Sequence, residues 1–236
     1  MIDAKSFASS YNAFWSEAAP TCEHFVRRLN LESVERFEPP LPSSGGSRAA
    51  LIAEFAFSLF VERTVENRTG TKRSNAEITE AAWVWTEKRL APYASQGLDI
   101  TQKCTKHELD EVLIISDRLV KFFRARPRQL ILKPIFSGCG FVDNSEGDVI
   151  AGDTIYEIKT VQRTFRSTDI KQAVVYAALN YGSKQYIINN IGIVNPRNGL
   201  FCLINLERLC IEIAGVSAEN FFGIVTQELS SGELSR

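Results

Sequence analysis

Near its middle, the 236-residue chain runs Gly147-Asp-Val-Ile-Ala-Gly-Asp-Thr-Ile-Tyr-Glu-Ile-Lys-Thr-Val161. This segment predicts two short strands, at residues 148–152 and 154–161, joined at Gly152-Asp153. Gly and Asp suit a tight two-residue turn, because such a turn places one or both central residues at positive φ. The middle of the chain is therefore expected to form a β-hairpin.

The predicted hairpin brings three charged side chains together. Glu157 and Lys159 lie on one face of the second strand, since side chains alternate between faces. Asp148 lies on the partner strand, and pairing would place it beside Glu157. Two carboxylates and an ammonium are thus expected to converge on one point.

This trio has a chemical use. Carboxylate oxygens suit a hard cation such as Mg²⁺, or Mn²⁺ in its place, and Asp148 and Glu157 would be the ligands. A bound metal activates water and neutralises charge on a phosphate, and Lys159 can stabilise developing negative charge. The pattern therefore predicts phosphodiester hydrolysis. The alternative is that Glu157 and Lys159 are the solvent-facing half of an edge strand.

The segments around the hairpin predict an α/β core over residues 129–236. The insert Asn195-Pro-Arg-Asn-Gly199 is typical of a hairpin turn between two apolar strands. Besides the central hairpin, the expected elements are strands at 130–136, 186–194 and 200–205 and helices at 168–182 and 217–229.

Residues 1–128 predict a separate helical region. A Pro- and Gly-rich linker spans residues 38–47, and Thr105 and Glu108 form a capping box ahead of a helix that Pro127 ends. Two other helices are expected at 48–66 and 76–94, the second ending near Pro92. The region carries more aromatic residues than one helix stripe requires, which favours a role in partner docking or oligomerisation: Phe55, Phe57, Phe60, Trp83 and Trp85.

A further motif extends the pattern. Gln172 and Tyr176 lie one turn apart on the predicted helix that follows the hairpin. Together with Asp148 and Glu157-Ile-Lys159, they resemble the PD-(D/E)XK nuclease superfamily, and are most similar to its RecB- and Cas4-type group. The resemblance covers roughly residues 130–194.

The resemblance implies a restriction-endonuclease-like central mixed sheet flanked by helices. It implies that Asp148 and Glu157 bind Mg²⁺, that Lys159 is the catalytic lysine, and that Gln172 and Tyr176 support the DNA-contacting or metal-proximal side of the site. DNA is implied as substrate more than RNA. By analogy, a partner ATPase or helicase, or another subunit of a phage-defence, restriction or repair system, is expected.

The chain departs from the family pattern at two points. Gly147 stands where the family name has proline. The five cysteines are scattered and form no four-cysteine cluster, so no iron–sulfur cofactor is expected. Other acids remain rivals or additions to the trio: Asp143 and Glu146 in the preceding loop, and Glu108 and Glu111 on the preceding helix. Asp153 fits the turn itself.

Charge is unevenly distributed. The chain has a net charge of -1, with 27 basic and 28 acidic residues, which argues against indiscriminate coating of DNA. Residues 121–184 nevertheless hold ten basic and six acidic residues, and Arg163 and Arg166 follow the Lys159 strand and are candidates for phosphate contacts.

No membrane segment or signal layout is visible, so a cytoplasmic protein is expected. Two other functional classes stay open. One is a catalytically inactive nuclease-like subunit that binds nucleic acid or a protein partner, and the other is an unrelated α/β interaction protein.

Overall fold

The computed structural model describes residues 2–42, 48–70, 72–96, 99–100, 102, 104–126 and 129–231. Pro127, the predicted end of a helix, lies outside them. The strands are β1 (Glu35–Arg36), β2 (Leu130–Leu132), β3 (Ile135–Phe136), β4 (Ser145–Glu146), β5 (Val149–Ala151), β6 (Thr154–Ile158), β7 (Asn190–Asn195) and β8 (Leu200–Asn205). The α-helices are α1 (Ala4–Ser10), α2 (Asn12–Ala18), α3 (Cys22–Glu32), α4 (Ala49–Thr69), α5 (Asn75–Leu90), α6 (Lys106–Arg124), α7 (Ser167–Ser183), α8 (Leu206–Ala214) and α9 (Ala218–Ser231).

The centre of the protein is a six-stranded mixed sheet flanked by helices, which confirms the predicted α/β fold class. Its strand order is β1-β8-β7-β6-β5-β2. β6 and β7 run parallel, and the other neighbouring strands are antiparallel. The parallel pair is joined by a crossover through α7, because parallel neighbours cannot be joined by a short hairpin. The predicted β7–β8 hairpin around residues 195–199 is confirmed.

Helices cover both faces of this sheet. On one face, Ile150 and Ile155 belong to a core shared with α1–α3 and α7–α9. On the other face, Tyr156 packs against Phe122 and Phe123 of α6. Alternation along β6 therefore directs Glu157 to the same side as Ile155, toward α7.

The N-terminal helices divide into two groups. α1–α3 share the α7-side core, whereas α4, α5 and α6 also form a cluster of their own. Helices of residues 1–128 therefore pack on both faces of the sheet, and the boundary predicted between residues 128 and 129 stays a prediction. The Thr105–Glu108 capping box is confirmed, and α5 ends at Leu90 in a 3₁₀ turn (Ala91–Gln96) that contains Pro92.

The predicted strand over residues 130–136 is wrong as a single element. It is two strands, because Lys133 takes a left-handed φ of 51° and Pro134 has no N–H for a ladder. β2 pairs with β5 in the main sheet, whereas β3 pairs with β4 in a second, two-stranded sheet. The second strand of the central hairpin ends at Ile158, before the predicted Val161, and β7 begins at Asn190, after the predicted Tyr186.

α8 was not expected from the sequence. It begins directly after β8, where the Asn205 side chain accepts a hydrogen bond from the Arg208 N–H and caps the helix. Within the described part of the chain, no single helix has the length and apolar character to cross a membrane; α8 and α9 meet that test only as a pair bent by 68°.

Candidate active site

The central hairpin places Asp148 and Glu157 opposite each other, as the sequence predicts. β5 and β6 pair with Val149 opposite Tyr156, so the next pair outward is Asp148 and Glu157. The Ile158 N–H donates a hydrogen bond of 2.6 Å to Asp148 Oδ2. Asp148 is thereby anchored to the strand that carries Glu157.

The two carboxylates lie where water is scarce. Burial raises the pKa of Asp148 well above its ordinary value, and the neighbouring Glu157 charge raises it further, against the Ile158 hydrogen bond and Lys159. Glu157 is 5% exposed, and its Oε2 has no hydrogen-bond partner among the residues that the structure describes. Two like charges held this closely favour a proton or a cation between them.

Lys159 supplies part of the counter-charge. Its Nζ lies 2.9 Å from Glu157 Oε1 and 3.8 Å from Asp169 Oδ1. Burial lowers the pKa of Lys159, but Glu157, Asp169 and Asp148 together outweigh burial and leave the pKa above its ordinary value. The ammonium is therefore charged at neutral pH and fixed beside the carboxylates.

A hydrogen-bonded chain on α7 holds this ammonium in place. Lys159 Nζ donates to Gln172 Oε1 at 2.8 Å, and Gln172 Nε2 donates to the Tyr176 hydroxyl at 2.9 Å. The Tyr176 hydroxyl donates to the Glu146 carbonyl at 3.1 Å, and its ring stacks on Phe136. The sequence placed Gln172 and Tyr176 near the site, and the structure joins both to Lys159.

The two predicted phosphate-binding arginines differ in their surroundings. Arg163 makes a two-pronged ion pair with the buried Asp169, at 2.7 and 2.9 Å. Arg166 is exposed immediately before α7. Arg163 thus has an internal partner, and a contact of either arginine with a phosphate stays a prediction.

The helix acids that the sequence offered lie elsewhere. Glu108 is used in the capping box of α6 and also faces Arg48. Glu111 forms a buried ion pair with Arg197, in the turn between β7 and β8. Neither contacts Asp148 or Glu157, because α6 directs them away from the hairpin.

The other candidate acids, in the loop before the hairpin and at its turn, have interactions of their own. Glu146 pairs with Arg89 at 3.0 Å, so it lies at the edge of the site. Asp153 is at the hairpin turn, where it accepts hydrogen bonds from Asn189 and Asn190, as its turn position suggested. Asp143 lies in the loop before β4, where its backbone N–H donates to the Ile2 carbonyl.

Sequence reasoning missed Glu54 on α4. Its Oε1 lies 3.3 Å from Arg89 Nε, and its charge adds to the rise in the pKa of Asp148. Burial raises the pKa of Glu54 itself, and Arg89 and Lys133 oppose that rise. The sequence did contain a signal: Glu54 is the only charged residue in the run 49–61, where Ser58 is the only other polar residue.

The two side chains at this site that could bind a metal ion, Asp148 and Glu157, both offer oxygen atoms. Among the described ranges, no three His, Cys, Asp or Glu side chains are grouped closely enough to hold a metal ion. What the structure brings together is the pair Asp148 and Glu157, with Lys159 beside it. The five cysteines are free thiols, and burial raises the pKa of three of them, Cys22, Cys202 and Cys210, to about 12.

No protein-family model matches this chain, and no curated protein matches it.

Proposed function

We propose that this protein is a metal-dependent nuclease that hydrolyses phosphodiester bonds, with DNA preferred over RNA. The observation that carries the proposal is the buried pair Asp148 and Glu157 on adjacent strands, with the Lys159 ammonium 2.9 Å from Glu157. An acid pair and a lysine at one point have a use in hydrolysis of a phosphate ester and little use in stabilising a sheet.

The residues present fit Mg²⁺ or Mn²⁺. Asp148 has a raised pKa because it is buried beside Glu157, and Glu157 Oε2 has no hydrogen-bond partner in the described part of the chain. Carboxylate oxygens of this kind suit a hard divalent cation, and these two residues would hold it. When bound, the cation supplies charge neutralisation at the phosphate and activation of the attacking water.

The protein's own contribution is positioning and electrostatics. Gln172 and Glu157 hold the Lys159 ammonium from two sides, so it can stabilise charge that develops on the phosphate without reorganising. Tyr176 orients the Gln172 amide, since its hydroxyl accepts from Nε2. The hydrogen-bonded chain on α7 would therefore hold the catalytic ammonium of Lys159, directly after β6.

A catalytically inactive, nuclease-like subunit is the second candidate. It is favoured by the finding that the described residues hold no group of three ligating side chains, so any ion would rest on two protein carboxylates. Such a subunit would bind nucleic acid or a partner ATPase or helicase. For either candidate, the proposed setting is a cytoplasmic defence, restriction or repair system.

Cleavage assays separate the two candidates. The full chain is incubated with single-stranded DNA, double-stranded DNA and RNA, with Mg²⁺, Mn²⁺ or EDTA. We expect metal-dependent cleavage, greatest on DNA, that falls by about 10³-fold or more in Glu157→Gln and Lys159→Ala, since both changes remove transition-state stabilisation.

Asp117→Asn is the matched control, because Asp117 pairs with Arg63 away from the site. It should cleave at the wild-type rate. Equal cleavage by wild type and the Glu157 variant would contradict the proposal, as would binding of DNA without any cleavage by the wild type.

A further inference from the structure

Trp85 is an exposed aromatic side chain close to the candidate active site. α5 buries Ile78, Ala82 and Trp83, and the Trp83 ring packs edge-on against Phe55. Trp85, two residues on, remains 45% exposed. Of the five aromatic residues that exceed one helix stripe, Trp85 alone keeps its ring largely outside the core.

Lys133 connects this ring to the acid pair. Its Nζ lies 3.6 Å from the centre of a Trp85 ring, and its backbone N–H donates to the Asp148 carbonyl at 2.9 Å. Its left-handed φ of 51° is uncommon for a residue with a side chain. Trp85 is thus one lysine side chain away from the backbone of Asp148.

Arg89 extends the same face of α5. It lies four residues after Trp85, and residues at that spacing are neighbours on a helix surface. Its guanidinium bridges Glu54 and Glu146, at 3.3 and 3.0 Å, and 43% of its side chain is exposed. We call Trp85, Arg89 and Lys133 the Trp85 rim. It presents one exposed ring and two cations beside the carboxylates.

We propose that the Trp85 rim binds an unpaired stretch of the substrate strand, with a base stacked on Trp85 and neighbouring phosphates at Lys133 and Arg89. This inference rests on the proposed function, since it makes a single strand or a frayed end the preferred substrate. Only an unpaired base offers its face to a side chain, because bases in a duplex are covered by their neighbours. Aromatic rings flanked by basic side chains are the usual means of binding single strands.

The test measures binding apart from cleavage. In EDTA, anisotropy of a dye-labelled oligothymidylate reports affinity for the full chain. We expect Trp85→Ala to weaken binding by about 10-fold, in line with the loss of one stacked base. Trp85→Phe should lose less, and binding of a blunt duplex should change by less than about twofold in either variant.

Three further measurements show whether a change in single-strand binding is specific to Trp85 and its neighbouring cations. Tyr93 is 50% exposed in the 3₁₀ turn after α5, so Tyr93→Ala should bind single strands like the wild type. Lys133→Gln should lower the dependence of binding on salt by about one counterion. Intrinsic fluorescence should be quenched by the oligonucleotide in the wild type, since Trp15 and Trp83 are buried and Trp85 is exposed.

The outcomes distinguish this inference from the proposed function. Unchanged single-strand binding in Trp85→Ala, with cleavage still dependent on Glu157, would overturn the Trp85 rim and leave the nuclease. Single-strand binding that depends on Trp85, without cleavage by any form, would support the rim and contradict the nuclease. Equal losses on single strands and duplex would overturn the preference for unpaired bases. Loss of self-association with unchanged DNA binding would assign the ring to a protein contact and also overturn it.

Discussion

Two clusters of buried charge in the described part of the protein are built differently. Where α6 meets the β7–β8 turn, Glu111 pairs with Arg197, and the Arg118 guanidinium donates to the Pro196 and Arg197 carbonyls. In this cluster, one carboxylate faces one guanidinium of opposite charge. This cluster ties a helix to a hairpin.

In the central hairpin, by contrast, two carboxylates lie opposite each other, and the ammonium beside them, that of Lys159, pairs with Glu157. Burial and the neighbouring Glu157 charge raise the pKa of Asp148. A matched ion pair holds elements together, whereas like charges forced together store unfavourable energy that a ligand can release. This difference supports the proposal that the hairpin carries the active site, whereas Glu111 and Arg197 join two structural elements.

Breaking the structural pair should cause the largest change in stability. Glu111→Gln leaves Arg197 buried without its counter-charge, so the free energy of unfolding should fall by about 3 kcal/mol or more. Urea denaturation measures the loss. Cleavage per folded molecule should stay at the wild-type level.

The double variant Glu111→Met with Arg197→Met is the control. It removes both charges at once, so it should recover part of the lost stability. A Glu111→Gln variant of wild-type stability would show that this pair has no structural role, and the contrast between the two clusters would fail.

An intermediate effect is expected in the chain on α7. Tyr176→Phe removes the hydroxyl that links Gln172 to the Glu146 carbonyl, which leaves two buried polar groups without that partner. We expect the free energy of unfolding to fall by about 1–2 kcal/mol. Because Lys159 is then held less firmly, kcat should also fall several-fold while KM changes little.

Ser183→Ala is a matched control on the same helix. The Ser183 hydroxyl donates to the Leu179 carbonyl and lies outside the Lys159 chain. Its loss should leave kcat unchanged. A Tyr176→Phe variant with a wild-type kcat would mean that the α7 chain does not position Lys159.

The smallest expected change has the opposite sign. Asp148→Asn removes a desolvated charge beside Glu157 and keeps an oxygen for the Ile158 N–H. In EDTA at neutral pH, the free energy of unfolding should rise by about 1 kcal/mol, or about 2–4 °C in Tm for a chain of this size. Cleavage should be lost.

The pH dependence of the free energy of unfolding tests whether the Asp148 carboxyl causes this change. The folded-state pKa of Asp148 is raised, so the unfolded chain releases this proton first as pH increases. Its contribution therefore lowers the free energy of unfolding as pH rises from the unfolded pKa toward the folded one. Asp148→Asn should lack that decline, and an Asp148→Asn protein less stable than the wild type at neutral pH would contradict the assignment of strain to this carboxyl.

Local patterns made the central hairpin predictable. Alternation along β6 and the Gly152-Asp153 turn fix which side chains face together, and both are properties of neighbouring residues. The four-residue spacing of Gln172 and Tyr176 fixed their common face in the same way. Contacts within one hairpin and one helix can therefore be predicted from the sequence.

Other features depend on contacts between distant segments. Glu54, Arg89 and Lys133 meet only because α4, α5 and the end of β2 pack together, and no spacing encodes that. Over a shorter range, the pairing of Arg163 with Asp169 in the first turn of α7 depends on how the segment between β6 and α7 folds, so the sequence offered Arg163 only as a candidate for phosphate contacts. Pro134 was a signal for the break between β2 and β3. No local pattern predicted that β3 pairs with β4.

The proposed function requires that Asp148 and Glu157 bind one divalent cation together. Anomalous diffraction from crystals of the full chain grown with Mn²⁺ tests it most directly. We expect one strong peak about 2.1–2.3 Å from a carboxylate oxygen of each residue, and we expect this peak to be absent in Glu157→Gln. Carboxylates too far apart to share one ion, or no peak between them at saturating Mn²⁺, would contradict it.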